Sequence, residues 1–289
     1  MTAEPDSILA ARVADLLGWA PTAWRRVHGG YTAAARYRVV RGADSAFVKI
    51  ATTRVTARML RAELVAYPAI QGPFLPRFIG GDDHPDQPLL VIEDLSAAAW
   101  PPPWTDTRVA DALAAMRAMH LTTAAIPTFA EVGGRLEHGW RDVAKDPAPF
   151  LSLGMASAPW LERALPALVA AEIACQTEGT ALTHFDLRSD NICFAERGAL
   201  FVDWAAACRG DPDLDIGGWL PSLAYEGGPP PEAILPDAPE VAAWVSGYFA
   251  ARAGLPNIPD APFVRRVQRE QLTTALPWVQ RALGLGGLG

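Results

Sequence analysis

Cysteine is scarce in this 289-residue sequence: Cys175, Cys193 and Cys208 are odd in number, and no pair has CxxC spacing. That excludes a disulfide-stapled scaffold and a thiolate zinc site, and it points to reduced, buried thiols in a cytoplasmic protein. No apolar run approaches the ~20 residues that cross a bilayer. The opening MTAEPDSILA has neither the basic start nor the apolar core of a secretory signal. Neither a membrane span nor export is therefore expected. Positive charge is also in short supply, and a net charge of −7 excludes a nucleic-acid binder working by phosphate neutralisation. Lysine is the rarest charged residue, with Lys49 and Lys145 standing against 23 arginines. What the chain does have is apolar content, 50% of residues, enough for a sizeable core in one large domain or two lobes.

Charge is unevenly placed. Residues 1–95 hold 11 Lys/Arg and 10 Asp/Glu, whereas residues 96–289 hold 14 and 22. Ordinary surface solubility explains most such imbalances. The sharper alternative is an acidic second half that attracts a cationic small molecule.

The first third reads as strands with helices beside them. Asp6 or Ser7 can cap a helix carrying Ile8, Leu9, Val13, Leu16 and Leu17. Two strand-like runs, Ala35–Arg41 and Ala46–Ala51, flank a Gly-Ala-Asp-Ser turn and predict a hairpin. Thr53 can cap a second helix with Val55, Met59, Ala62 and Ala66 on one face and Glu63 beside it. FLPRFIGG and PLLVIEDL predict two more strands. At SAAAWPPPWT the grammar changes, because three consecutive prolines continue neither strand nor helix. Beyond this linker, helices are expected at Asp106–Leu121, Trp160–Gln176, Leu214–Ala224, Pro239–Ala253 and Pro262–Leu283, with a frayed GLGGLG tail. The one expected β interruption is a small hairpin, Ile192–Ala195 and Ala199–Val202.

That hairpin lies inside THFDLRSDNICFAERGALFVDWAAACRGDPDLD, which carries seven carboxylates. Asp186 falls in a turn, Asn191 at the mouth of the hairpin and Asp203 at the end of its second strand, so the fold-back brings Asn191 and Asp203 together. An amide oxygen and a carboxylate are hard ligands suited to Mg²⁺, which also takes phosphate oxygens. A further carboxylate that is not a ligand can accept a hydroxyl proton. This is equipment for phosphoryl transfer.

The pattern His184-x-Asp186-x4-Asn191, with Asp203 beyond it, resembles the catalytic and metal loops of the kinase-like fold. It is most similar to the aminoglycoside phosphotransferase and choline kinase superfamily. FVDWAAACRGDPDLDIG is similar to that family's aspartate-tryptophan and Gly-Asp-Pro-x-x-Asp segment, and MRAMHL to the helix end that precedes its catalytic loop. The resemblance runs from about residue 25 to residue 220. It implies an α+β, bilobal protein-kinase-like fold, with residues 1–95 as a nucleotide-binding antiparallel lobe and 96–289 as a larger helical lobe. It also implies Mg²⁺ and ATP or GTP as phosphate donor.

Carried over residue by residue, Asp186 is the expected base, and Asn191 and Asp203 hold the metal. Arg188 stabilises transferring charge, His184 organises the loop, and Asp215 braces it from behind. Lys49, mid-strand in AFVKIA, would reach the nucleotide phosphates with Glu63 as its partner. Gly29, Gly30 and Thr32 would form the loop over the phosphates, although GxGxxG is missing. Glu93, Asp94 and Leu95 would read the purine edge through backbone groups.

Two departures stand out. Phe185 replaces the glycine usual after the histidine, and Ser189-Asp190 replaces a usual Pro-Gly. Asp190 can face the acceptor or simply be solvated. Trp219, Tyr225, Glu226 and Glu270, with Trp244 and Trp278, are either core or the wall of a pocket for an amino sugar or quaternary amine.

The expected activity is transfer of a terminal phosphate to a hydroxyl of an aminoglycoside-like antibiotic, amino alcohol or sugar, by a monomer or dimer without nucleic-acid or membrane partners. A protein kinase is the first rival. Asp203-Trp204-Ala205 in place of Asp-Phe-Gly and the lack of Ala-Pro-Glu weigh against it. A catalytically weak nucleotide-binding interaction protein is the second, and the presence of Lys49, Asp186, Asn191 and Asp203 together weighs against that.

Overall fold

A computed structural model describes residues 6–30, 32–133, 139–259 and 261–288. Tyr31, within the expected phosphate loop, lies outside the described residues.

The Asp6 carboxylate accepts the Leu9 N–H at 2.8 Å and starts α1 (Ser7–Leu17). Gly18, at φ +72°, ends it in the left-handed conformation that glycine tolerates. Five strands follow: β1 (Ala23–Arg26), β2 (Ala35–Arg41), β3 (Asp44–Ile50), β4 (Phe78–Asp82) and β5 (Leu89–Glu93). They form an antiparallel sheet in the order β1-β2-β3-β5-β4. The β2–β3 turn is tighter than expected. Arg41 pairs with Asp44, leaving Gly42 (φ +58°) and Ala43 to make it.

Alternation along the strands divides the two faces. Val39, Val48, Leu89 and Val91 pack under α1 with Leu9 and Val13. Leu90 and Ile92 face the other way and join the main core with α2 (Arg54–Ala69). Lys49 pairs with both Arg36 and Leu90, so these three side chains share that second face.

Thr53 caps α2, with Thr56 completing a reciprocal capping box. The buried face is rotated from the expected one. Thr56, Ala57, Leu60, Glu63, Ala66 and Tyr67 are buried, whereas Val55 is exposed. A reading that seeks apolar residues sets Glu63 at the margin. Its buried ammonium partner instead brings it to the centre.

The proline segment leads into α3 (Asp106–His120), α4 (Phe129–Gly133), α5 (Trp140–Lys145), α6 (Ala148–Leu151) and α7 (Ala158–Ala174). Short strands β6 (Ala181–Thr183), β7 (Ile192–Ala195), β8 (Gly198–Phe201) and β9 (Cys208–Gly210) precede α8 (Pro212–Tyr225), α9 (Pro231–Ile234), α10 (Pro239–Ala253) and α11 (Val264–Ala282). The expected hairpin is β7–β8. A second pairing, β6 with β9, was not anticipated; it closes the loop between them into one compact unit. The tail is docked, not frayed: Trp160 Nε1 donates to the Gly286 carbonyl at 2.8 Å, and Ser157 N to that of Leu288 at 2.9 Å. Trp140, Trp160, Trp204, Trp219 and Trp278 are fully buried, and truncating any one to alanine should cost about 3–5 kcal/mol. Among the described residues, no helix is long and apolar enough to cross a membrane.

Candidate active site

The β7–β8 ladder runs one step past its last strand pair, because Val202 N donates to the Asn191 carbonyl at 3.0 Å. Asn191 and Asp203 therefore emerge together at the open end of the hairpin. The Asn191 carboxamide donates its N–H to the Asp186 carbonyl at 2.7 Å and sits 3.3 Å from Asp186 Oδ2. Since a carbonyl only accepts, that contact fixes the NH₂ end inward and turns the amide oxygen away.

Asp203 adopts φ +67°, a left-handed conformation that aspartate tolerates better than most side chains. Its Oδ1 lies 3.0 Å from Lys49 Nζ. Beyond this ion pair, the buried oxygen takes no hydrogen bond from any described residue. A buried carboxylate held on one side only, by Lys49, beside a free amide oxygen fits a hard divalent cation that completes its sphere with phosphate and water. No cluster of three or more His, Cys, Asp or Glu suited to a metal exists among the described residues. A closed all-protein cage is thus not what these donors make.

Lys49 is buried between Glu63, at 2.6 Å, and Asp203. Burial works against its charge, but the two carboxylates outweigh it and hold its pKa above the usual value. Burial likewise works against ionised Asp203, and Lys49 outweighs it, so that carboxyl stays below its usual range.

The loop before Asn191 hangs on one buried carboxylate. Asp215 Oδ1 accepts the Phe185 N–H at 2.7 Å and that of His184 at 3.1 Å, while Oδ2 accepts from His120 Nε2 at 2.9 Å. Phe185 is held at φ +57°, with its ring 5.1 Å from that of Phe129. His184 is fully buried, and burial lowers its pKa. Its Nε2 bonds the Val202 carbonyl at 3.0 Å, and its Nδ1 receives the Asp186 N–H at 3.3 Å. A carbonyl cannot donate and a backbone N–H cannot accept, so the ring is the neutral Nε2–H tautomer. It joins the loop to the hairpin and carries no charge.

Arg188 pairs with Asp186 and, through Nε, with Asp190 at 3.0 Å. Burial in the cleft raises the Asp186 pKa to about 6; Arg188 opposes this, and Asp203 and Asp190 add to it. Its side chain is still 35% open to solvent, so water screens part of the effect.

Two cavities meet at this point. The larger, about 490 Å³, is lined by Gly29, Gly30, Lys49, Glu63, Glu93, Asp94, Leu95, Asn191 and Asp203. The smaller, about 340 Å³, is lined by Thr32, Phe185, Asp186, Arg188 and Asp190, together with residues of α10 and α11. Gly30, Arg36, Asp190 and Asp203 line both. Gly30 sits at φ +72°, a left-handed conformation that favours glycine, and a Cβ there would displace the Arg36 guanidinium, 2.6 Å away. Thr32 Oγ1 accepts from that guanidinium at 3.1 Å. The Glu93 and Asp94 side chains are tied to Arg197 and Arg38, so the purine-reading expectation rests on their backbone alone.

Five expected acceptor residues line neither cavity, among them Trp278, which is fully buried in the core. Trp219 is buried in the core, its ring 5.5 Å from Trp104. Tyr225 is half exposed, Glu226 bonds Trp104 Nε1 and Ser189 Oγ, and Glu270 pairs with Arg266 at 3.7 Å. Residues that sequence reasoning missed include Arg36, Tyr248, Gln268 and Gln271. The cross-strand position opposite Lys49 would have marked Arg36; nothing in the sequence marks the glutamines.

The model of the phosphotransferase enzyme family matches residues 23–258. The chain belongs to that family. No curated protein matches it in sequence. Solved structures share the fold. The aminoglycoside phosphotransferase APH(4)-Ia, in ternary complex with ADP and hygromycin B, is 12% identical with a TM-score of 0.57, covering 97% of this chain and 99% of that one. The choline kinase LicA from Streptococcus pneumoniae is 13% identical at TM-score 0.57, covering 96% and 98%. The architecture is thus the expected α+β, kinase-like one, and the family is one of phosphotransferases.

Proposed function

We propose that this member of the phosphotransferase family is a Mg²⁺-dependent kinase moving the terminal phosphate of ATP or GTP to a hydroxyl of a small molecule. The acceptor classes open at this level are an aminoglycoside-like antibiotic, an amino alcohol and a sugar. One observation carries the reading: Asp203 stands where the two cavities meet, with Lys49–Glu63 on one side and Asp186 on the other. The APH(4)-Ia complex with ADP and hygromycin B supports this pairing of nucleotide and acceptor sites by analogy. Residues 1–95 and 96–289 then act as two lobes around the nucleotide.

In this reading Lys49, positioned by Glu63, grips the donor phosphates. Asn191 and Asp203 would hold Mg²⁺, which supplies neutralisation of phosphate charge. The acceptor oxygen bonds the terminal phosphorus, and the bond to the nucleoside diphosphate breaks with its electron pair leaving on the diphosphate. The hydroxyl proton passes to Asp186. Arg188 neutralises charge on the transferring group and keeps Asp186 ionised.

A thermal-shift titration with ATP and GTP, with and without Mg²⁺, tests the donor half. Stabilisation by at least one nucleotide, lost on chelating the metal with EDTA, is expected. No stabilisation by either nucleotide in the presence of Mg²⁺ refutes the reading.

A further inference from the structure

The smaller cavity carries an inference that rests on the kinase reading and narrows its acceptor. Its far wall comes from α10 and α11, which contribute Trp244, Tyr248, Phe249, Val267, Gln268 and Gln271. Each helix has a single carboxylate, Glu240 and Glu270, and neither lines the cavity. The carboxylates that do, among the described residues, are Asp186, Asp190 and Asp203, and each is already paired with Arg188 or Lys49. Arg36 adds a further positive charge to the lining. A polycation entering here would shed water without finding an unpaired acid among the described residues to replace it.

Among the described residues, the aromatic wall does not offer Tyr248 to a quaternary amine. The Tyr248 ring is stacked on Trp244, centroids 6.4 Å apart, and covered by the Arg252 guanidinium at 4.4 Å. Its π-face is committed to a cation of the protein's own.

Gln271 is different. It is 94% buried and lines the cavity, yet its carboxamide makes no hydrogen bond to any described residue; Thr274 Oγ1 bonds its backbone carbonyl alone. Its polar atoms are not among the enclosed unpartnered ones and so open into the cavity, where a ligand can meet them. Gln268, beside it, has its oxygen bonded to Arg265 at 2.8 Å and keeps its NH₂. Neutral donors and acceptors facing an aromatic wall suit a ring with hydroxyls on its edge and C–H groups on its face. At about 340 Å³ the cavity is at the small end of ligand pockets.

We propose that the phosphate acceptor is an uncharged polyhydroxylated ring compound of one or two rings, and that Gln271 determines its recognition. The test is an ADP-release assay with two acceptor panels, the products confirmed by mass spectrometry. One panel holds neutral mono- and disaccharides and glycosides; the other holds aminoglycosides, amino alcohols and quaternary amines. The best neutral acceptor should exceed the best cationic one in kcat/KM by about a hundredfold, the cost of burying an unpaired ammonium. Gln271→Leu should raise its KM about tenfold with kcat little changed, and Gln271→Glu should shift preference toward cations. Nucleotide-induced stabilisation of each variant reports that it is folded. A cationic compound as best acceptor, or no neutral compound phosphorylated, overturns the acceptor class while Mg²⁺–nucleotide binding still upholds the kinase. Loss of that binding in the unaltered protein overturns both. An unchanged acceptor KM in Gln271→Leu overturns the role of Gln271.

Discussion

Replacing Asp215 by asparagine tests whether one buried carboxylate organises the catalytic loop. In the native arrangement its two oxygens accept from Phe185 N at 2.7 Å, His184 N at 3.1 Å and His120 Nε2 at 2.9 Å. Asparagine is isosteric but offers one acceptor oxygen and one donor. Its least costly pose keeps the oxygen under the two backbone amides and points the NH₂ at His120, whose ring must then present a bare Nε2. Three hydrogen bonds to a charge become three neutral ones. At about 1 kcal/mol lost for each, the variant should be less stable by about 3 kcal/mol. For a domain of this size that is a fall in Tm of roughly 6 °C.

The loop also holds Phe185 at φ +57°, a conformation that costs about 1–3 kcal/mol and persists only while its surroundings over-determine it. Loosening it displaces Asp186, the next residue, and kcat should fall about a hundredfold. Calorimetry and a coupled ADP assay read the two effects. An Asp215→Asn protein that melts within about 2 °C of the parent with kcat unchanged refutes the reasoning.

Asp186→Asn should behave oppositely: kcat should fall by about 10²–10⁴ while nucleotide-induced stabilisation persists, and persistence of turnover would remove Asp186 as base. In the unaltered enzyme, kcat should rise with pH through about 6, because burial and the neighbouring carboxylates raise this pKa and the base works only when ionised; an acid limb centred near 4 contradicts the assignment. Lys49→Met leaves the Glu63 and Asp203 carboxylates buried without their ammonium, costing about 3–5 kcal/mol by urea unfolding, and adding Glu63→Gln should restore part of it. An additive double variant would show that the pair is not coupled. Burial pushes Cys175, Cys193 and Cys208 up to about 12, so a thiol reagent at pH 8 should label none of them in the native protein and all of them in urea. Prompt native labelling would contradict their burial.

How much of this was legible in the sequence depends on how far apart in the chain the partners lie. Asp186, Asn191 and Asp203 belong to one loop and one hairpin, so their intervals already specify a juxtaposition. Lys49 and Glu63 were legible through the scarcity of lysine, although the helix phase was misjudged, because apolar periodicity places a buried glutamate at the edge of a face. The β6–β9 pairing escaped notice because three-residue strands are too short to show alternation. Arg36 was lost among 23 arginines, and only its register opposite Lys49 distinguishes it. The acceptor wall was the least legible part. Trp219 and Trp244 look alike at helical spacing, but packing sends the first into the core and the second to the cavity. Gln268 and Gln271, in VRRVQREQLTT, resemble a solvent-facing stripe until the cavity shows what buries them.

The tryptophan after Asp203 explains why these legible pieces act as one unit. Trp204 is fully buried, donates Nε1–H to the Phe201 carbonyl at 2.8 Å, and packs its ring 4.7 Å from His184 and 5.9 Å from Phe74. It thereby touches the hairpin that carries Asp203, the loop that carries Asp186, and the segment that follows α2. Phe201 N also donates to the Phe74 carbonyl at 2.8 Å, tying the hairpin to that segment through the backbone. Asp203 can hold a left-handed conformation without glycine because its neighbour is clamped on every side. Its carboxylate is aimed by this packing to the place where the two cavities meet. In the proposed reading this packing builds the position that Asn191 and Asp203 would offer Mg²⁺, and substrate choice falls to α10 and α11.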